Sequence, residues 1–243
     1  MNQLRRDALE KMKEACLKQE PLVEKEYSYI PQKSKTSFDL FEINSMNQKV
    51  DDSSCYVSEM FNSNQILEKS NITSVDGFVN AHLGKGKIVD SLNVSNSYSV
   101  AAILEMGYES CVISDECDKY QVEEIMKGFS NRYHFDAPVY KTLYQKRRLM
   151  TMKHCPVNTA LKDGKRMNCG LCHHHRYELE GLDGKRVFLF GDKDCHMRLY
   201  DVNIMNEIEN RKDYESYGIK HFRFVFTDEN QEEVKTAFRA YNR

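Results

Sequence analysis

The sequence predicts an α/β fold: a partial or helix-depleted TIM-like (β/α) barrel with a cysteine-rich loop and a β-hairpin appendage. Three observations predict it. From residue 87 onward, short strand-like runs alternate with segments of helical period, the pattern of right-handed βαβ units on a parallel sheet. The first half has too few helical segments for eight regular units, which typically take about 250 residues; the chain has 243. Between about residues 154 and 200 the alternation is broken by four cysteines and by an Asp183-Gly184 turn signal.

Residues 1–20 read as an amphipathic helix, with Leu4, Ala8, Leu9, Met12, Ala15 and Cys16 on one face. Residues 21–37, with Pro21 and Pro31, read as a linker. The rest, 38–243, forms the barrel unit. Phe38–Asn44, Ser54–Ser58 and Gly77–His82 are short strand candidates. Lys87–Asn93 is a strand and Ser97–Met106 a helix stopped by Gly107. Glu109–Ser114 is a strand, and Asp118–Phe129 a helix with Val122, Ile125 and Met126 at helical spacing. Pro138–Tyr144 and Arg148–Met152 are strands before the cysteine loop. Tyr177–Leu179 and Arg186–Phe190 pair as a hairpin. Val202–Arg211 is read as a helix, His221–Phe226 as a strand, and Glu229–Tyr241 as a closing helix.

Composition suits a globular chain, with 40% apolar and 30% charged residues. No apolar run approaches the roughly 20 residues of a membrane helix, and the N-terminus lacks the apolar core of a secretory signal. The expected location is cytoplasmic. Eight cysteines in that setting are thiols rather than disulfides, and Cys16, Cys55, Cys111 and Cys117 read as ordinary buried ones.

Charge is unevenly placed. Between Lys141 and Arg176 there are nine lysines and arginines against Asp163 alone, a surplus of eight positive charges in a chain of net charge -2. Such a stretch draws an anionic substrate or an RNA backbone. The plainer alternative is a solvated basic surface.

Cys155, Cys169, Cys172 and Cys195 fall within 41 residues, and Cys169-Gly-Leu-Cys172 is a CxxC pair. Two sulfurs on one tight turn and two distant ones suit a soft centre, either tetrahedral zinc or an iron–sulfur cluster. Merely packed thiols are the remaining alternative. The run His173-His174-His175 reads as a solvated loop that supplies one ligand at most. No HExxH helix and no GxSxG elbow is present.

Several motifs resemble the collagenase-like peptidase family U32. Leu92-Asn-Val-Ser-Asn-Ser97 is similar to its LNVxNS strand end, and Ile113-Ser-Asp-Glu116 to its LSPE. Tyr144-Gln-Lys-Arg-Arg-Leu-Met150 resembles YGRxxLM, with Gln145 and Lys146 in place of Gly-Arg. Lys153-His-Cys-Pro-Val157 resembles KxCP, and His221-Phe-Arg-Phe224 through Glu229 resembles FRxxFTxE. The hairpin departs from the family's DRxG, with Gly181-Leu182 where Asp-Arg is usual. The resemblance covers 87–243 well and 1–20 weakly.

That resemblance implies a split set of activities. The family was classed as peptidases, and other members resemble hydroxylation proteins that hold a [4Fe–4S] cluster and act on RNA or quinone precursors. It implies Cys155, Cys169, Cys172 and Cys195 as cluster ligands, with structural zinc as the alternative. The functions expected are cluster-dependent modification of RNA or another anionic substrate, peptide hydrolysis, or a non-enzymatic half that needs a partner chain to complete the barrel. Candidate substrate contacts are Asn93, Glu116 and Lys153 at strand ends, Lys146 and Arg147 in the basic run, and Arg223. An inward Arg223 would need an anion or carboxylate partner.

Overall fold

The computed structural model describes residues 2–17, 28–33, 39–43, 55–59, 74–76, 88–162, 170–191 and 195–243. Helix α1 is Asn2–Leu17. Strands β1 (Asp39–Ile43), β2 (Cys55–Glu59) and β3 (Ser74–Asp76) follow. Then come β4 (Ile88–Val94), α2 (Ser97–Glu105), β5 (Ser110–Ile113), α3 (Lys119–Tyr133) and the long β6 (Val139–Met152). The cysteine region holds α4 (Pro156–Lys162), α5 (Leu171–His174), β7 (Tyr177–Glu180), β8 (Arg186–Gly191) and β9 (Met197–Asn206). Helix α6 (Arg211–Ser216), β10 (His221–Phe226) and α7 (Gln231–Tyr241) close the chain.

Among the described residues seven strands run parallel in the order β2-β1-β10-β6-β5-β4-β3. The last parallel strand therefore pairs with the first, as cyclic strand order requires. Among the described residues β2 and β3 are unpaired with each other, so the sheet is open between them. The fold shown is mixed α/β. Strands β7, β8 and β9 form an antiparallel extension on the second half of β6.

Local chemistry sets the helix starts. Asn96 caps α2 by accepting from the Ser99 N–H at 2.8 Å. Asp118 with Gln121 and Asn230 with Glu233 form reciprocal capping boxes on α3 and α7. Both faces of the parallel sheet are buried. Val89, Cys111, Ile113, Val139, Leu143, Phe222 and Phe224 pack against the helices through Val100, Leu104, Ile125, Phe129 and Val234. The alternate residues Ile88, Val112 and Tyr140 form a separate buried cluster on the opposite face, the double burial expected of parallel strands.

The predicted helix over Val202–Arg211 is not found. Residues up to Asn206 belong to β9, and helical turns begin only at Ile208. Backbone pairing with β6, from Met152↔Met197 to Tyr144↔Asn206, overrides the local helical spacing. The two strands expected at Pro138–Tyr144 and Arg148–Met152 are one, with register shifts near 146–150. All of the strand expected over Gly77–His82, and most of the linker over 21–37, lies outside the described residues. No helix among the described residues is long and apolar enough to cross a membrane.

Candidate functional site

Strand register gathers the cysteines at one end of the antiparallel extension. Met197 is the register partner of both Met152 on β6 and Gly191 on β8. Cys155 lies three residues past Met152, and Cys195 two residues before Met197. Cys172, on α5, is buried with Val157, Leu189 and Met197, while Met152, Cys155 and Tyr177 pack against the same cluster. Three cysteines distant in the chain thus come from segments that meet at one edge. Cys169 lies outside the described residues.

Each of the three has a distinct setting. Cys155 begins α4, with Pro156 at the first helical position, where its missing N–H costs nothing. Its sulfur accepts the Asn158 N–H at 3.3 Å. The Cys172 sulfur lies against the backbone of Gly191: a methyl placed there would sit 2.6 Å from it and 2.9 Å from the Met197 sulfur. Cys195 has φ of 60°, unusual for a side-chain-bearing residue, and so turns the chain sharply into β9. Among the described residues, no three Cys, His, Asp or Glu side chains stand close enough together to hold a metal ion. The donor types nevertheless suit a thiophilic centre: cysteines on three segments that meet at one sheet end, an N–H aimed at one sulfur, and a side-chain-free seat for another.

A charged cluster joins this extension to the ends of the parallel strands. Lys146, only 8% exposed, pairs with Asp228 and stands 3.5 Å from Glu229. Asp228 also pairs with Arg176, four residues after Cys172, and Arg176 bonds Glu178 at 2.9 Å. The Arg176 guanidinium lies 5.0 Å from the Phe188 ring centroid. Glu229 accepts the Thr227 N–H, and burial raises its carboxyl above the usual value, with Lys146 pulling the other way. Asp228 therefore ties the strand β6, the β10–α7 turn and the cysteine segment together.

On the face opposite the described helices that pack on the sheet, Arg223 donates to Asp90 at 2.6 Å and to Thr142 Oγ1 at 3.5 Å. The partner that an inward arginine needs is thus Asp90 on β4. Strands β4 and β10 are separated by β5 and β6, so the sheet curls toward this face for the two side chains to meet.

The remaining predicted contacts scatter. Arg147, Lys153, Asn93 and Glu116 are exposed. Asn93 has φ of 51° and accepts the Ser114 hydroxyl at 2.6 Å. Lys146 and Arg223 are held in the ion pairs above. Lys141, fully buried, stands 3.3 Å from Glu207. The basic stretch is thus partly neutralised by acids far away in sequence. Cys111 and Cys117 are buried thiols, as expected, while the side chains of Cys16 and Cys55 lie outside the described residues. Asp228, Gly191 and Met197 carried no sequence signal of their own; only the departure of Gln145-Lys146 from the family motif marked that neighbourhood. No family model, no curated protein and no solved structure matches this chain.

Proposed function

We propose that this chain is a U32-type protein, a (β/α) barrel in which a sulfur-ligated centre adjoins a substrate site for an anionic molecule. The observation that carries the reading is the meeting of the segments bearing Cys155, Cys172 and Cys195 at one end of the extension. Barrel closure, with β2 and β3 flanking the remaining gap, is supported by the cyclic strand order and by the Asp90–Arg223 pair. Cys155, Cys169, Cys172 and Cys195 would hold a [4Fe–4S] cluster, which supplies one-electron chemistry when bound; structural zinc is the alternative. The apolar side chains of Val157, Leu189 and Met197 exclude water on the inner side. Arg147 and Lys153 are exposed on or just beyond β6 and attract a phosphate-bearing substrate, an RNA being the leading class. Asp228 holds the cysteine segment in register with the strand ends.

Anaerobic purification followed by metal and acid-labile sulfide analysis tests this directly. Iron and sulfide in equal amounts, with a brown colour lost on Cys172→Ala, supports the cluster. Zinc without sulfide points to the structural site. Full-length protein with neither, whether or not it cleaves denatured collagen, overturns the proposal.

A further inference from the structure

Gly191 ends β8 directly beneath the Cys172 sulfur. Its backbone is not in the left-handed region, unlike Gly107, Gly170, Gly184 and Gly218, so turn geometry does not require glycine here. What does require it is space. A β-carbon at this position would stand 2.6 Å from the Cys172 sulfur, 3.6 Å from the Cys172 β-carbon and 2.9 Å from the Met197 sulfur. The first distance is far inside any normal contact. The Met197 sulfur sits on a flexible side chain that can give way. The Cys172 sulfur sits one bond from its β-carbon, so it gives way only by turning to another staggered χ1 position, out of the seat, or by moving with its short helix.

We propose that Gly191 is a positioning residue for the sulfur centre: by lacking a side chain, it lets the Cys172 sulfur occupy the inner wall beside Met197. This rests on the sulfur-centre reading above. The seat sets how deeply Cys172 lies, and therefore where the other cysteines must converge. Burial of Cys172 beside Leu189 and Met197, with Cys155 only partly buried at the margin of the same cluster, makes Cys172 the anchored donor. Cys155 and Cys195 then close from the more open side. A groove between backbone and sulfur narrower than a methyl group also leaves no room for water behind the anchored sulfur.

The test pairs a stability cycle with metal binding, on the full chain. Gly191→Ala should lower the melting temperature by several degrees in the wild type. In a Cys172→Ala background, where no sulfur opposes the methyl, the same change should cost little, because the crowding partner is gone. Cobalt(II) titration under anaerobic conditions supplies the second readout. The wild type should develop the intense sulfur-to-cobalt absorption of thiolate ligation, and Gly191→Ala should bind about 10–100-fold more weakly. Equal costs of Gly191→Ala in the two backgrounds would overturn the seat. So would a wild-type cobalt spectrum and affinity retained in Gly191→Ala, a result that leaves the sulfur centre itself standing. A wild type that develops no thiolate–cobalt band removes the centre, and the positioning role with it.

Discussion

Replacing Asp90 by alanine should be among the most damaging single changes in this protein. Asp90 and Arg223 lie three strand spacings apart, on β4 and β10. At about 4.8 Å per spacing, a flat sheet would separate their backbones by about 14 Å. That is more than an aspartate and an arginine standing up from the sheet can close. The observed 2.6 Å contact therefore reports curvature as well as charge pairing. Both side chains are about nine-tenths buried. Removing one partner of a buried ion pair typically costs about 3–5 kcal/mol, because the other charge stays behind. Against a total stability of roughly 5–15 kcal/mol, Asp90→Ala should leave a marginal fold. Replacing both members, Asp90→Leu with Arg223→Met, should restore most of the loss, since well-packed apolar pairs often equal buried ion pairs. Urea denaturation of the wild type, the two single variants and the double variant gives the coupling. A coupling below about 0.5 kcal/mol would mean that the residues do not meet, and the inward curl of the sheet would fall with it.

Other outcomes follow from the same contacts. Burial raises the Glu229 carboxyl above its ordinary value of 4.5, so the folded state holds its proton more tightly than the unfolded chain. Stability from this group is present at low pH and declines as pH rises through the raised value; Glu229→Gln should flatten that part of the pH–stability curve and cost little at neutral pH. Asp228→Asn keeps the shape but removes the charge shared by Lys146 and Arg176; a loss of about 1–3 kcal/mol should appear as faster amide exchange in β7 and β8, and unchanged exchange there would refute the tie. Burial pushes the Cys111 thiol up to about 12, so alkylation of the native protein at neutral pH, read by mass spectrometry, should spare Cys111 until denaturant is added.

Much of the fold was legible because local and global signals agree. The runs at Lys87–Asn93, Glu109–Ser114 and His221–Phe226 each carry a short apolar stretch (Ile88-Val89, Cys111-Val-Ile113 and Phe224-Val-Phe226) of the kind found in doubly buried strands, and they are β4, β5 and β10. The hairpin was legible through Asp183-Gly184, with Gly184 at φ of 75°. Strand β9 was not. Val202, Met205 and Ile208 stand at helical spacing, and only pairing with β6 makes most of that segment extended. Strand β6 was cut in two because Gln-Lys-Arg-Arg reads as a solvated break; Lys146 is buried instead by Asp228 and Glu229, some eighty residues later in the chain. Strand β3 (Ser74–Asp76) is too short to carry a period. The cysteines stood out by spacing. That three of them share one sheet end depends on a register that no spacing encodes, and Gly191 is an ordinary strand-end glycine until the Cys172 sulfur is seen above it.

The sulfur centre is tested most directly by X-ray absorption at the metal edge of protein isolated anaerobically. A first shell of sulfur alone, at about 2.3 Å, is the expected result. A shell of nitrogen and oxygen, or protein without metal, would contradict it.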